Sequence, residues 1–119
     1  MLLDVADSVV PPGSRLLGYA VDFPSDRLDF RRLLTEYCNR RSWLLDGIVT
    51  SECPSDFGGV EGEWPQVLQV VQRLSVTALI TPSIAHLAPS PVSRHARIVA
   101  LHRRDVAVRI LPPAAVMTR

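Results

Sequence analysis

The chain has 119 residues, of which 47% are hydrophobic and 21% are charged. This length and balance predict one globular domain with a single core and exclude a mainly disordered chain. The formal net charge is +1, so neither nucleic-acid binding nor membrane binding follows from charge alone. Every basic side chain is an arginine, a planar group that binds anions bidentately.

The chain start and the cysteines bear on the cellular compartment. Asp4 and Asp7 stand where a signal peptide would carry its basic region, and no apolar run approaches the roughly 20 residues of a membrane span. Cys38 and Cys53 lack the spacing of a metal site or a disulfide framework. We therefore expect a cytoplasmic protein without membrane association, in which Cys38 is a small buried hydrophobe.

The first part of the chain predicts an arm, a strand, a helix and a second strand. Residues 1–14 form an irregular N-terminal arm, and residues 15–21 form an apolar strand. Between Phe30 and Cys38 the apolar residues recur at helical spacing, with acidic residues before them and arginines after them. Residues 43–50 are predicted to form the second strand.

Two prolines mark the helices of the second part. Proline is favoured at the first helical position, so Pro65 and Pro91 each predict a helix start, the latter with Ser90 as its N-cap. In chain order, residues 51–62 are predicted to form a loop, a helix begins at Pro65, and residues 76–81 form a strand. A further helix runs from residue 91 to about 104, a strand covers 106–111, and residues 112–119 form a C-terminal tail.

Strands that alternate with helices of this length predict right-handed crossovers. The expected fold is a small α/β domain over residues 15–111, with about four parallel strands and three helices on both faces. Its spacing is typical of flavodoxin-like and Rossmann-like domains.

The first strand contains Gly18, Tyr19 and Ala20, and it resembles the first strand of the serine recombinases, the resolvase/invertase family. That family has a Gly-Tyr-Ala-Arg-Val-Ser type of segment, which carries an arginine and the attacking serine. On this pattern Val21 occupies the arginine position and Phe23 the serine position. The resemblance covers roughly residues 16–111 and implies a resolvase-like fold.

Two further segments carry the resemblance. The family has a helix that opens Glu-X-Pro, usually with arginine in the middle, and here Trp64 stands there. A later family segment of the type Leu-Asp-Arg-Leu-Gly-Arg-Ser corresponds to residues 84–90, where Ala85 replaces the aspartate and His86 and Pro89 replace the arginines. DNA transesterification needs the serine and the cations. The resemblance therefore implies a degenerate member without catalytic residues.

A pocket is predicted where the strands end, because ligands of doubly wound sheets bind beyond the carboxyl ends of the strands. A serine, histidine and aspartate set for hydrolysis is conceivable there, and helix capping is the alternative role. The loop after the first strand has no glycine for a phosphate cradle, and the histidines lack partners for a metal, so no cofactor and no metal are predicted. The pocket candidates are Asp22, Ser25, Arg27, Ser83 and His86.

The last predicted helix has two stripes on a helical wheel. The stripe expected to face the core holds Val92, Ala96, Val99 and Ala100. The stripe expected to be exposed holds Arg94, Arg97, Ile98, Leu101 and Arg104. An exposed arginine stripe with apolar members suits a protein interface, and it could also touch nucleic-acid phosphates or be an ordinary solvated face.

The leading functional hypothesis is an inactive resolvase-like domain that binds protein, through self-association, as a regulatory module or as a subunit of a larger assembly. Apolar residues in both terminal segments either contact such a partner or fold back over the sheet edge. Two alternatives remain open. One is an enzyme with a new site around Asp22, Ser25 and His86, and the other is a DNA-associated accessory factor.

Overall fold

The computed structural model describes residues 10–22, 29–52, 64–88 and 90–112. Its elements in chain order are β1 (Arg15–Asp22), α1 (Phe30–Arg40), β2 (Leu44–Glu52), α2 (Trp64–Leu74), β3 (Ala78–Thr81), α3 (Ile84–Leu87), α4 (Pro91–His102) and β4 (Ala107–Ile110). The predicted alternation of strands and helices is confirmed. The short helix α3 is an addition that the sequence pattern does not predict.

The four strands form one parallel sheet in the order β2-β1-β3-β4. This order is the flavodoxin-like arrangement, whose direction of winding reverses between β1 and β3. β1 pairs with β2 along its whole length, but its pairing with β3 ends at Gly18 and Ile80. The carboxyl half of β1 therefore extends beyond β3 on one side.

Helices cover both faces of the sheet, as predicted. Side chains alternate along each strand, so every strand contributes to two cores. The core on the α1 side includes Leu16, Leu34, Tyr37, Cys38, Trp43 and Ile80. The core on the side of α2 and α4 includes Leu17, Tyr19, Val21, Trp64, Val67, Leu79, Ile98 and Leu101.

Gly18 allows α1 to lie close to the sheet. A Cβ atom at this position would stand 3.0 Å from Ile48 Cγ1 and 3.1 Å from Leu34 Cδ1, which is tighter than ordinary packing allows. The glycine of the Gly-Tyr-Ala segment leaves room for Leu34 and Ile48, whose side chains would have to shift by a few tenths of an ångström to admit a Cβ atom.

A bulge explains how β2 accommodates Asp46 and Gly47, which weaken the strand pattern. Leu16 pairs with Leu45 and Leu17 pairs with Gly47, so Asp46 is the extra residue. Its carboxylate accepts a 3.0 Å hydrogen bond from Arg15 Nε.

Helix α4 begins as predicted, and the turns that follow α1 and α4 each have a residue other than glycine at positive φ. Ser90 Oγ accepts the Ser93 N–H, and Ser93 Oγ accepts the Ser90 N–H, which completes a capping box. Ser42 and Asp105, which follow α1 and α4, have φ of 63° and 61°. In both turns two backbone N–H groups return to the last helical carbonyls, as in a Schellman motif.

Replacing Ser42 by glycine is expected to raise the free energy of unfolding by about 0.5–1 kcal/mol, because glycine adopts positive φ without the steric cost of a Cβ. Urea denaturation of both proteins measures the change. Thr35→Gly, at an exposed position inside α1, is the matched control and should lower stability by about 0.3–0.5 kcal/mol. A loss of stability in Ser42→Gly would contradict the expectation.

The last residues of the predicted N-terminal arm lie against the domain. Val10 is buried on the α1 side, and its carbonyl accepts a 3.1 Å hydrogen bond from Trp43 Nε1. The Gly13 N–H donates to the Ser42 carbonyl at 2.7 Å. Residues 1–9 and 113–119, which hold the other apolar residues of the two terminal segments, lie outside the described residues.

Cys38 is fully buried, which confirms the prediction for this residue. Burial raises the pKa of the Cys38 thiol to about 11, so the thiol stays protonated at neutral pH and packs as a small apolar group. None of the helices in the described part of the chain is long and apolar enough to cross a membrane.

Candidate functional site

The candidate site lies at the carboxyl ends of β1 and β3, where the strand order reverses. Of the five predicted pocket residues, the structure places two there: Ser83, just before α3, and His86, within α3. Asp22 ends β1, and its side chain lies outside the described part of the chain. Ser25 and Arg27 lie outside the described residues altogether.

His86 is held against the backbone of β1. Its side chain is buried, and its Nδ1 atom accepts a 2.9 Å hydrogen bond from the Val21 N–H. Because β3 stops pairing with β1 at Gly18, the imidazole supplies an acceptor where no β3 carbonyl is in register. His86 therefore continues the hydrogen bonding of the sheet.

This bond fixes the tautomer of the imidazole, and an aromatic ring packs against the same side chain. A ring nitrogen that accepts an N–H carries no proton, so the neutral ring has its proton on Nε2. The Phe30 ring from the start of α1 lies 4.7 Å from the imidazole, centroid to centroid, with the two planes at 80°. The side chain is thus packed between the end of β1 and α1.

Ser83 stands at the N-cap position of α3, with no side-chain capping bond. The described bond between the two pocket residues runs through the backbone, where the His86 N–H donates to the Ser83 carbonyl at 3.0 Å. Their proximity is therefore accounted for by the turn that opens α3.

Thr81, the last residue of β3, is fully buried at the same end of the sheet. Its Oγ1 atom has no hydrogen-bond partner among the residues that the structure describes. A buried polar atom left unsatisfied costs about 1–3 kcal/mol. Sequence reasoning did not single out this hydroxyl, because the all-apolar run around it indicated only a buried strand.

Replacing Thr81 by valine is expected to raise the free energy of unfolding by about 1 kcal/mol, since the change removes the unsatisfied hydroxyl and keeps the branched shape. Thermal and urea denaturation measure it. Thr77→Val is the control, because the Thr77 hydroxyl is exposed and donates to the Arg15 carbonyl at 3.3 Å, so that change should be neutral or slightly destabilising. Destabilisation by Thr81→Val would show that the hydroxyl is satisfied in solution.

The predicted exposed stripe of α4 is wrong for three of its five residues. Arg97 and Ile98 are each only 7% exposed, and Leu101 is fully buried. Val92, expected to face the core, is 81% exposed, and Ala96 is also exposed. The helix therefore packs against the sheet with the opposite stripe.

The remaining two arginines of that stripe also make contacts within the protein. Arg94 is half-buried, and its Nε donates to the Ala88 carbonyl at 2.9 Å. Arg104 is exposed, and its Nη1 donates to the Ala100 carbonyl of its own helix at 2.9 Å. The stripe as predicted is not a continuous exposed face.

The contacts of Arg97 favour the orientation in which this stripe of α4 faces the sheet. Its Nη1 donates to the Leu87 carbonyl at 2.8 Å, and its guanidinium lies 4.7 Å from the Trp64 ring centroid. The charge is thus hydrogen-bonded and stacked, which permits its burial. The Leu87 carbonyl that it satisfies is at the end of α3, so Arg97 also holds the helix that carries His86.

Two solved structures share this architecture. One is the C-terminal catalytic domain of ISC1926 TnpA, an IS607-like serine recombinase, with a TM-score of 0.68, 15% identity, and coverage of 87% of this chain and 73% of that one. The other is the N-terminal catalytic domain of TP901-1 integrase, with a TM-score of 0.67, 13% identity, and coverage of 79% and 74%. The chain has the fold of a serine recombinase catalytic domain.

No protein-family model and no curated protein sequence matches the chain. The two structural similarities confirm the predicted resemblance at the level of the recombinase fold. Val21, at the position that the family pattern gives to an arginine, is fully buried in the core beneath α2 and α4. Phe23, at the position of the serine, lies outside the described residues.

Proposed function

We propose that this protein is a catalytically inactive domain of the recombinase fold that acts by binding protein. The observation that carries the proposal is the hydrogen bond between the Val21 N–H and His86 Nδ1. Both residues stand where the family pattern has arginines. Here one is a core side chain and the other is an acceptor for the backbone of β1.

The chemistry supports inactivity. Strand transfer needs a hydroxyl nucleophile and fixed cations around the phosphate, where negative charge develops. Loss of a nucleophile alone typically costs several powers of ten in rate. Arg97, a buried guanidinium on the neighbouring helix α4, stacks on Trp64 and donates to the Leu87 carbonyl. This arginine holds α3 in place, and it does not replace the arginines that the family pattern has at the positions of Val21 and His86.

The binding half of the proposal follows from what the fold retains. Capping, core packing and the sheet are intact, so the domain offers a stable surface without the family's reaction. Three large apolar side chains are exposed among the described residues, Val92 at 81%, Leu44 at 57% and Ile84 at 37%, and their burial against another protein would be favourable. The partner is a second copy of the chain or a different subunit.

A DNA assay tests inactivity. Purified protein is incubated with supercoiled DNA that carries a pool of sequences, and the products are examined for relaxation, strand exchange and protein–DNA adducts. We expect none of these. A covalent adduct would overturn the proposal, and loss of that adduct in Ser83→Ala would identify the nucleophile. An electrophoretic shift at low salt in the same samples tests the accessory-factor alternative.

Solution mass tests the binding half. Light scattering of the protein, alone and as purified from its native host, should show a discrete oligomer or a complex of fixed stoichiometry. A monomer without a stoichiometric partner under both conditions would overturn this half. The outcome is independent of the DNA assay, so each half can fail by itself.

A further inference from the structure

Strand β2 forms one edge of the sheet, and this edge is open to solvent. β2 has nine residues, and among the described strands it pairs only with β1. Residues 44–50 of β2 are each at least partly exposed, except that none is buried as residues 16–21 of β1 are. A strand covered by a further segment would be buried as β1 is, so this edge is accessible.

The opposite edge of the sheet is shorter and better covered. β4 has four residues, and its two central side chains, Val108 and Arg109, are buried. An edge strand presents unpaired N–H and C=O groups, to which another strand can bond. β2 is therefore the edge at which the sheet can accept a further strand.

The hydrogen bonds of β1 show which of its residues face β3. The Arg15 carbonyl accepts from the Thr77 N–H at 2.8 Å, and the Val21 N–H donates to His86 Nδ1 at 2.9 Å. Both partners lie on the β3 side of β1. Because the direction of the backbone groups alternates along a strand, Tyr19 also faces β3.

The pairing of β1 with β2 then shows which backbone groups of β2 point out of the sheet. Tyr19 lies opposite Val49. In a parallel ladder, the residue opposite one that faces away turns its own N–H and C=O groups inward, so those of Val49 point to β1. The N–H and C=O groups of its neighbours Ile48 and Thr50 therefore point away from β1, along the open edge.

The sequence of this edge suits pairing with a second copy of the same strand. Residues 47–51 carry no charge, so a strand that meets its own copy there brings no like charges together. Ile48, Val49 and Thr50 are β-branched, which favours a strand. Ile48 packs on the α1 side and Val49 on the other side, and both are only partly buried, so a second strand would cover apolar surface on both faces.

We propose that two copies of the chain pair antiparallel through β2, with the backbone groups of Ile48 and Thr50 bonding across a two-fold axis. The two sheets then form one continuous sheet, and the symmetric contact closes at a dimer. The bulge at Asp46 interrupts the regular edge, so the contact lies in the carboxyl part of β2. The inference rests on the binding half of the proposed function and names its partner and its surface.

Sedimentation velocity at concentrations up to about 1 mM measures the dimer, since a small interface is expected to be weak. Thr50→Pro removes an outward N–H, and an edge strand tolerates proline where the N–H faces solvent. This variant should be monomeric throughout. Val92→Asp, which removes the most exposed apolar side chain of α4, is the matched control and should dimerise as the unchanged protein does.

Amide hydrogen exchange in the unchanged protein identifies the strand that pairs. As the concentration rises and most chains become dimeric, exchange at Ile48 and Thr50 should slow by about tenfold, because their N–H groups gain acceptors. Exchange at Val49, whose N–H already points to β1, should stay the same. A dimer without slower exchange at Ile48 and Thr50 would place the interface elsewhere and overturn the proposal.

Three further results would overturn it: a monomer at about 1 mM, an unchanged dimer in Thr50→Pro whose melting curve shows a folded protein, or loss of the dimer in Val92→Asp. If Thr50→Pro does not fold, Thr50→Lys replaces it, because this change keeps every backbone bond and brings like charges together near the axis. A monomer that binds a different subunit would overturn this inference and leave the proposed function standing, whereas a covalent DNA adduct would overturn only the proposed inactivity.

Discussion

Leu101→Ala is expected to lower the free energy of unfolding by about 2–5 kcal/mol, because it empties a fully buried position between α4 and the sheet. Val92→Ala, on the same helix, should change it by less than about 0.5 kcal/mol, since the Val92 side chain is 81% exposed. Urea denaturation followed by circular dichroism measures both.

The two variants decide which stripe of α4 faces the core. The helical wheel with Val92 inward predicts the reverse order, a large loss for Val92→Ala and a small one for Leu101→Ala. Similar small losses in both would mean that α4 is only loosely packed in solution. The slope of the free energy against urea should be unchanged in both variants, because neither alters the surface exposed on unfolding by much.

The same helix shows where sequence reasoning fails. Hydrophobic periodicity treats an arginine as an outward residue, so the stripe with Arg97 is assigned to solvent. In the structure Trp64 stacks on this arginine and the Leu87 carbonyl accepts from it, which makes its burial favourable. Neither partner is close in sequence, so no local pattern could indicate the pair.

Elements with strong local signals are predicted well. The apolar runs of the strands and the Ser90-Pro91 helix start correspond to β1 to β4 and α4. Helix α3 has only four residues and no side-chain bond at its N-cap, and too short a helix is not stable by itself. Its contacts with Val21 and Arg97 come from tertiary structure, which explains why propensity does not reveal it.

In the candidate site, the position of His86 could be predicted from the sequence and its role could not. Parallel topology predicts that His86 lies near the end of β1, and it does. Its role could not be predicted, because the unpaired N–H of β1 becomes apparent only once the pairing with β3 is seen to end at Gly18.

His86→Ala is expected to lower the free energy of unfolding by about 2–4 kcal/mol. The change leaves the buried Val21 N–H without an acceptor, which costs about 1–3 kcal/mol, and removes a ring that packs on Phe30. His86→Asn places an amide oxygen near the former Nδ1 position and should recover the hydrogen-bonding part of the loss. His95→Ala, at an exposed position of α4, is the control and should be nearly neutral.

Hydrogen exchange at a single amide makes this test specific. The Val21 N–H should exchange slowly in the unchanged protein and in His86→Asn, and much faster in His86→Ala, while the amide of Leu17 in the middle of β1 changes only with global stability. If the Val21 amide exchanges equally slowly in His86→Ala, another group accepts from it. His86 would then be available for chemistry, and the proposal of an inactive domain would lose the contact on which it rests.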